Sequence, residues 1–127
     1  MELSRDFPPT PGSVPTGRHE IDRLADELSP EILDRIRAVV SELLGASTSY
    51  AFRRGAGRIG MRVQVSPERA RIEVGDLESE PRGEEEAEPA EVLGLSLFVV
   101  DHLADRWGVV PSPGPVLWAE IDLPAPR

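Results

Sequence analysis

The chain of 127 residues contains no cysteine. Disulfides and thiolate metal sites are therefore excluded, and the composition suits a reducing, cytoplasmic setting. It also contains no lysine, since all 14 basic residues are arginine. A Walker-type phosphate lysine and Schiff-base chemistry are thereby removed. No apolar run approaches the ~18 residues of a membrane span. The first residues lack a basic segment followed by an apolar one, so no secretory leader is expected. Positive charge is scarce as well: the net charge is −9, whereas a phosphate-backbone binder presents a basic face. Neither nucleic acid nor membrane is expected as a partner. What remains is an ordinary chain for one domain spanning residues 1–127, long enough to bury a core without metal or disulfide.

The apolar pattern predicts the elements in turn. A short strand near Leu3–Phe7 is stopped by Pro8, Pro9 and Pro11. Ser13 or Thr16 is placed to cap a helix reaching about Leu28, with Ile21, Leu24, Ala25 and Leu28 on one face. Ser29-Pro30 starts the clearest amphipathic helix, in which Ile32, Ile36, Val39, Val40, Leu43 and Leu44 recur at helical spacing; its end is expected between Gly45 and Tyr50. Two alternating segments, Ile59–Val65 and Arg71–Val74, flank Ser66-Pro67-Glu68-Arg69 as a hairpin. Residues 78–91 hold 7 glutamates, one arginine and almost nothing apolar, and read as a mobile loop. A third helix is predicted over Val92–Trp107 and ended by Gly108, followed by a closing hairpin through Val116–Leu123. Several antiparallel strands with helices on one face imply an α+β fold. The expected form is a two-layer sandwich with a mixed, largely antiparallel sheet.

Four segments in this order carry a resemblance: Ser41-Glu42-Leu43-Leu44; Ile72-Glu73-Val74-Gly75-Asp76; Gly94-Leu95-Ser96-Leu97 with Val100–Gly108; and Leu117-Trp118-Ala119-Glu120. Together they resemble the ATPase domains shared by histidine kinases, gyrase and Hsp90, and most closely the anti-sigma-factor serine kinases. The resemblance spans nearly the whole chain, and its most specific parts are Leu103–Gly108 and Trp118-Ala119-Glu120. It implies ATP and magnesium as ligands, and a sigma factor or an anti-sigma antagonist as protein partner. It places Glu42 as general base, which would take the proton from an attacking hydroxyl or water. It places Asp76 as reader of the adenine amino group, and Gly94 and Ser96 in the phosphate-cradling loop.

Several positions depart from the family pattern. Ala46 stands where the family's asparagine holds magnesium, and alanine offers no oxygen to a hard cation. Ser96 stands in place of the second loop glycine, Glu78 in place of the glycine beyond the adenine aspartate, and Val116 in place of a supporting threonine. Glycines matter where backbone must close on phosphate. The expectation is therefore a regulatory protein of the anti-sigma-factor kinase type, acting mainly by protein–protein binding, with ATP binding weakened or lost. The alternatives are an active serine/threonine kinase with Glu42 as base, and a module that forms a homodimer or assists another kinase.

The other candidates have plain readings. Glu42 alone would pass as a solvated helix residue. His19 and His102 lie far apart in sequence without a third ligand and read as structural histidines. Trp107 and Trp118 suit packing. Arg53, Arg54, Arg58 and Arg62 read as a solvated loop and strand face or as a site for an acidic group.

Overall fold

A computed structural model describes residues 1–55, 57–77, 98–110 and 115–124 and, of residues 52–54, the backbone only. In chain order the elements are β1 (Glu2–Phe7), α1 (Ser13–Glu20), a 3₁₀ turn (Ile21–Leu24), α2 (Pro30–Arg54), β2 (Ile59–Val65), β3 (Arg69–Gly75), α3 (Phe98–Leu103), β4 (Arg106–Val110) and β5 (Val116–Asp122). The strands form one sheet in the order β1-β2-β3-β5-β4, and every neighbouring pair is antiparallel. α2 lies across β2, β3 and β5, while α1 and α3 pack against α2. The chain is thus an α+β sandwich of one sheet layer and one helix layer, its sheet at the antiparallel end of what the sequence predicts.

Strand alternation builds the core. Ile59, Met61 and Val63 of β2, Ala70, Ile72 and Val74 of β3, and Leu117, Ala119 and Ile121 of β5 are all buried toward the helices. The intervening positions, among them Arg62, Arg71, Glu73, Trp118 and Glu120, fall on the opposite face. An antiparallel sheet packed on one side alone requires this pattern.

Ser29 starts α2 as its spacing predicts. The Ile32 N–H donates to Ser29 Oγ at 3.3 Å and the Leu33 N–H to the Ser29 carbonyl at 3.0 Å. Pro30 at the first helical position forfeits no helical hydrogen bond. Ile36, Val39, Val40, Leu43 and Leu44 are fully buried. The helix runs past its expected stop to Arg54. Gly45 costs such a helix only about 1 kcal/mol, and burial of Ala46, Ser47, Thr48 and Ala51 holds the last turns in place.

Two other boundaries differ from expectation. The first helix ends at Glu20, and a 3₁₀ turn follows. There the Ala25 N–H bonds Asp22 O and the Glu27 N–H bonds Leu24 O, at i→i+3 spacing. Tightening keeps Ile21 and Leu24 inside but turns Ala25 to solvent. Ser13 does not cap: its hydroxyl donates to the Pro8 carbonyl at 2.6 Å, and Gly12 occupies the cap. The described part of the third helix closes at Leu103, so Trp107 and Gly108 belong to β4 rather than to a helix end. The change of direction is made by the Asp105 N–H, which bonds Glu120 O on β5 at 2.8 Å. Sheet pairing of Trp107 with Ala119 then overrides the helical spacing. The acidic run 78–91, expected as a loop, lies outside the described residues.

One core hydroxyl has no partner among the described residues. Thr48 Oγ1 is buried without a hydrogen bond to any described residue, a state that costs about 1–3 kcal/mol. Thr48→Val keeps the shape and removes the polar atom. It is expected to raise the urea midpoint, with a stability gain of about 1 kcal/mol. A lowered midpoint would show that the hydroxyl is satisfied in solution.

Candidate functional site

The site residues named from sequence distribute over both layers. Glu42 lies on α2, half-buried, one turn before Ala46. Residues at this spacing are neighbours on a helix face. Ala46 is 4% exposed and belongs to the hydrophobic core cluster. Its methyl is thus part of the packing that extends α2, and the position provides no oxygen.

Asp76 sits just beyond the end of β3, exposed to solvent. Gly75 creates the geometry. Its φ is +142°, and a Cβ there would stand 2.2 Å from the Pro115 carbonyl oxygen. Only glycine permits this approach of backbone to backbone. The Asp76 N–H then donates to that same Pro115 carbonyl at 3.2 Å, and the Leu77 N–H to Gly75 O at 3.0 Å. The Leu77 side chain turns back toward β2, 3.1 Å from where a Cβ on Gly60 would stand. Val116 faces Gly75 on one side and Val110 on the other and is 2% exposed. The structure therefore brings Asp76 and Val116 to the same end of the sheet, while Glu42 remains in the helix layer. Gly94 and Ser96 lie outside the described residues.

Among the described residues no group of three or more histidine, aspartate or glutamate side chains could hold a metal ion. Each histidine has a local contact instead: His19 Nδ1 is 3.3 Å from Asp22, and His102 Nδ1 is 3.1 Å from the Phe98 carbonyl. With a core methyl at position 46, the residues present do not fit a magnesium ion held from α2.

Sequence reasoning missed two features. Arg35 of α2 donates to the Leu103 carbonyl at 2.6 Å and lies 3.7 Å from Asp105, capping the C-terminus of α3. The other is a polar network on the open face of the sheet. Arg62 pairs with Glu73 at 2.7 Å, Arg71 with Glu120 at 3.1 Å and with Glu73 at 3.6 Å, and Arg106 with Glu120 at 2.9 Å and with Asp122. The Arg71 guanidinium also stands over the Trp118 ring, 4.7 Å from its centroid. Alternating arginines and carboxylates in adjacent strands were the available signal, but only the register shows which of them meet.

The network biases protonation. Burial pushes the Glu120 carboxyl up, but hydrogen bonds from Arg106 and Arg71 outweigh it and hold the group below its ordinary value. A hydrogen bond from Arg106 likewise lowers Asp122. A carboxyl lowered in the fold stabilises above its unfolded pKa, about 4, and that contribution disappears as pH falls through the lowered folded value. Glu120→Gln is therefore expected to flatten the loss of thermal stability below about pH 4. An acid limb as steep as that of the parent chain would contradict this.

No protein-family model and no curated protein matches the chain. Among the described residues, no helix is long and apolar enough to cross a membrane.

Proposed function

We propose that the chain is a regulatory protein of the anti-sigma-factor kinase type. It acts mainly by binding a sigma factor or an anti-sigma antagonist, with ATP binding weakened or lost. The observation that carries this reading is the burial of Ala46 in the core beside Glu42. A base position is kept, but the neighbouring metal position is committed to packing. The α+β sandwich is compatible with it. A second reading, an active serine/threonine kinase, is favoured by the joint presence of Glu42 as base and an exposed Asp76 as adenine reader.

Calorimetric titration with magnesium-ATP separates the two. The expected result is no saturable binding tighter than about 1 mM, together with nucleotide-independent binding of a purified sigma factor or antagonist. Micromolar ATP affinity would favour the kinase. The repair variant Ala46→Asn with Ser96→Gly is expected to gain affinity. It must be read with a melting curve, because an unpaired amide at a buried position costs about 1–3 kcal/mol.

A further inference from the structure

We propose that α3 is a hinged strap: it opens from α2 as a unit, pivoting ahead of Asp105, and Arg35 is the latch that sets how often it opens. The device is independent of nucleotide. Helices shorter than about 12–15 residues are marginal in water, so the six described residues of α3 keep their form only while packed. Of these residues Val100 alone is fully buried; Leu103 is half-buried, and Phe98, Val99, Asp101 and His102 are exposed. By contrast, α2 carries a full buried stripe. Elements with few buried apolar groups open at far lower free energy than the core.

The hydrogen bonds divide between Ala104 and Asp105. Ala104 belongs to the helix: its N–H closes the last turn on Val100 O at 2.9 Å. Asp105 belongs to the sheet. Its N–H donates to Glu120 O at 2.8 Å, and its carboxylate accepts the Asp122 N–H at 2.7 Å. Both partners lie on β5, so Asp105 stays with the sheet when α3 moves. The bond from Trp107 Nε1 to Asp101, 2.9 Å long, joins α3 to β4 but is exposed, and water replaces an exposed bond at little cost.

Arg35 spans the two sides. Its guanidinium donates to Leu103 O, at the end of the strap, at 2.6 Å, and lies 3.7 Å from the Asp105 carboxylate at the pivot. Opening breaks the first contact and leaves the second. The guanidinium is thus held where it takes Leu103 O again on closure, and the latch needs no rearrangement of α2. A hydrogen bond from a charged donor is among the stronger ones, so this one side chain governs the open population.

Amide hydrogen exchange of the full chain, followed by NMR without nucleotide, reads the hinge at adjacent residues. The Ala104 N–H is expected to be at least about tenfold less protected than the Asp105 N–H and than that of Val39 in α2. Its exchange should depend only weakly on urea, because the strap exposes little surface on opening, whereas Val39 exchange accelerates steeply. Arg35→Ala should speed Ala104 exchange by about tenfold or more. Core amides should speed up by no more than the same factor, since the lost bond is absent from both the open and the unfolded chain. Arg35→Lys keeps a donor for Leu103 O and should restore most of the protection. Equal protection of Ala104 and Asp105 overturns the proposal, as does an Arg35→Lys variant no better protected than Arg35→Ala. So does an Arg35→Ala variant in which core amides accelerate and Ala104 does not, because the latch then stays closed while α3 exchanges.

Discussion

Gly75→Ala is expected to cost the fold about 3–5 kcal/mol, a large part of the 5–15 kcal/mol that holds a domain of this size together. The added methyl would stand 2.2 Å from the Pro115 carbonyl oxygen and 2.9 Å from Val116 Cα. Both are backbone atoms in a strand pairing, so no side-chain rotation relieves the clash. The φ of +142° adds strain of its own. Gly75 closes the central strand β3, opposite Gly60 on β2 and Val116 on β5. Relief requires β5 to separate from β3 at this end, with loss of the Asp76–Pro115 hydrogen bond. With a urea dependence of about 1–3 kcal/mol per molar, the midpoint should fall by about 1 M or more. A midpoint within a few tenths of a molar of the parent would show that the backbone accommodates the methyl. Gly45→Ala is the control. That glycine lies within α2 with nothing within 4 Å of a built Cβ, and alanine there should stabilise by about 1 kcal/mol.

The second large effect lies between the helices. Gly17 of α1 is buried, and a Cβ there would stand 2.1 Å from Leu44 Cδ1. Leu44 is itself fully buried. Leu44→Ala should cost about 2–5 kcal/mol through lost burial and the cavity left behind. Gly17→Ala overpacks the same contact and should cost about 1–3 kcal/mol, less what helix propensity returns. Combined, the new methyl enters the space Leu44 vacated. The double variant should therefore be more stable than the sum of the single effects predicts, by about 1 kcal/mol or more. Strict additivity in a denaturant cycle would show that α1 moves away from α2 instead.

What could be read in advance divides along physical lines. The body of α2 was legible because its start signal and its apolar stripe are local: Ser29 caps and every named stripe residue is buried. Its end was not, because Gly45 signals a stop that burial of Ala46, Ser47, Thr48 and Ala51 overrides. The same turns settle Ala46, whose membership of the core follows from a helix that continues. Arg106 and Trp107 read as helix because their spacing continues that of α3, whereas the pairing that makes them a strand comes from β5. Of the candidate site, Glu42 and Asp76 were named from their motifs. The approach of Pro115 to Gly75 was not, since it joins segments distant in the chain. The network around Glu120 depends on register, which no single strand encodes.

The position of β1 also sets an order of assembly. Its backbone partner is β2, and the contact between Met1 and Val65 spans 64 positions. During synthesis β1 therefore emerges before the edge it joins. At about 5–20 residues per second it waits several seconds for β2 to follow. Over that interval Leu3 and Phe7, both buried in the finished sheet, remain without their final cover. The β2–β3 hairpin, closed by the short turn at Ser66–Glu68, needs no such delay. Among the described strands, β1 consequently waits longest for its first partner.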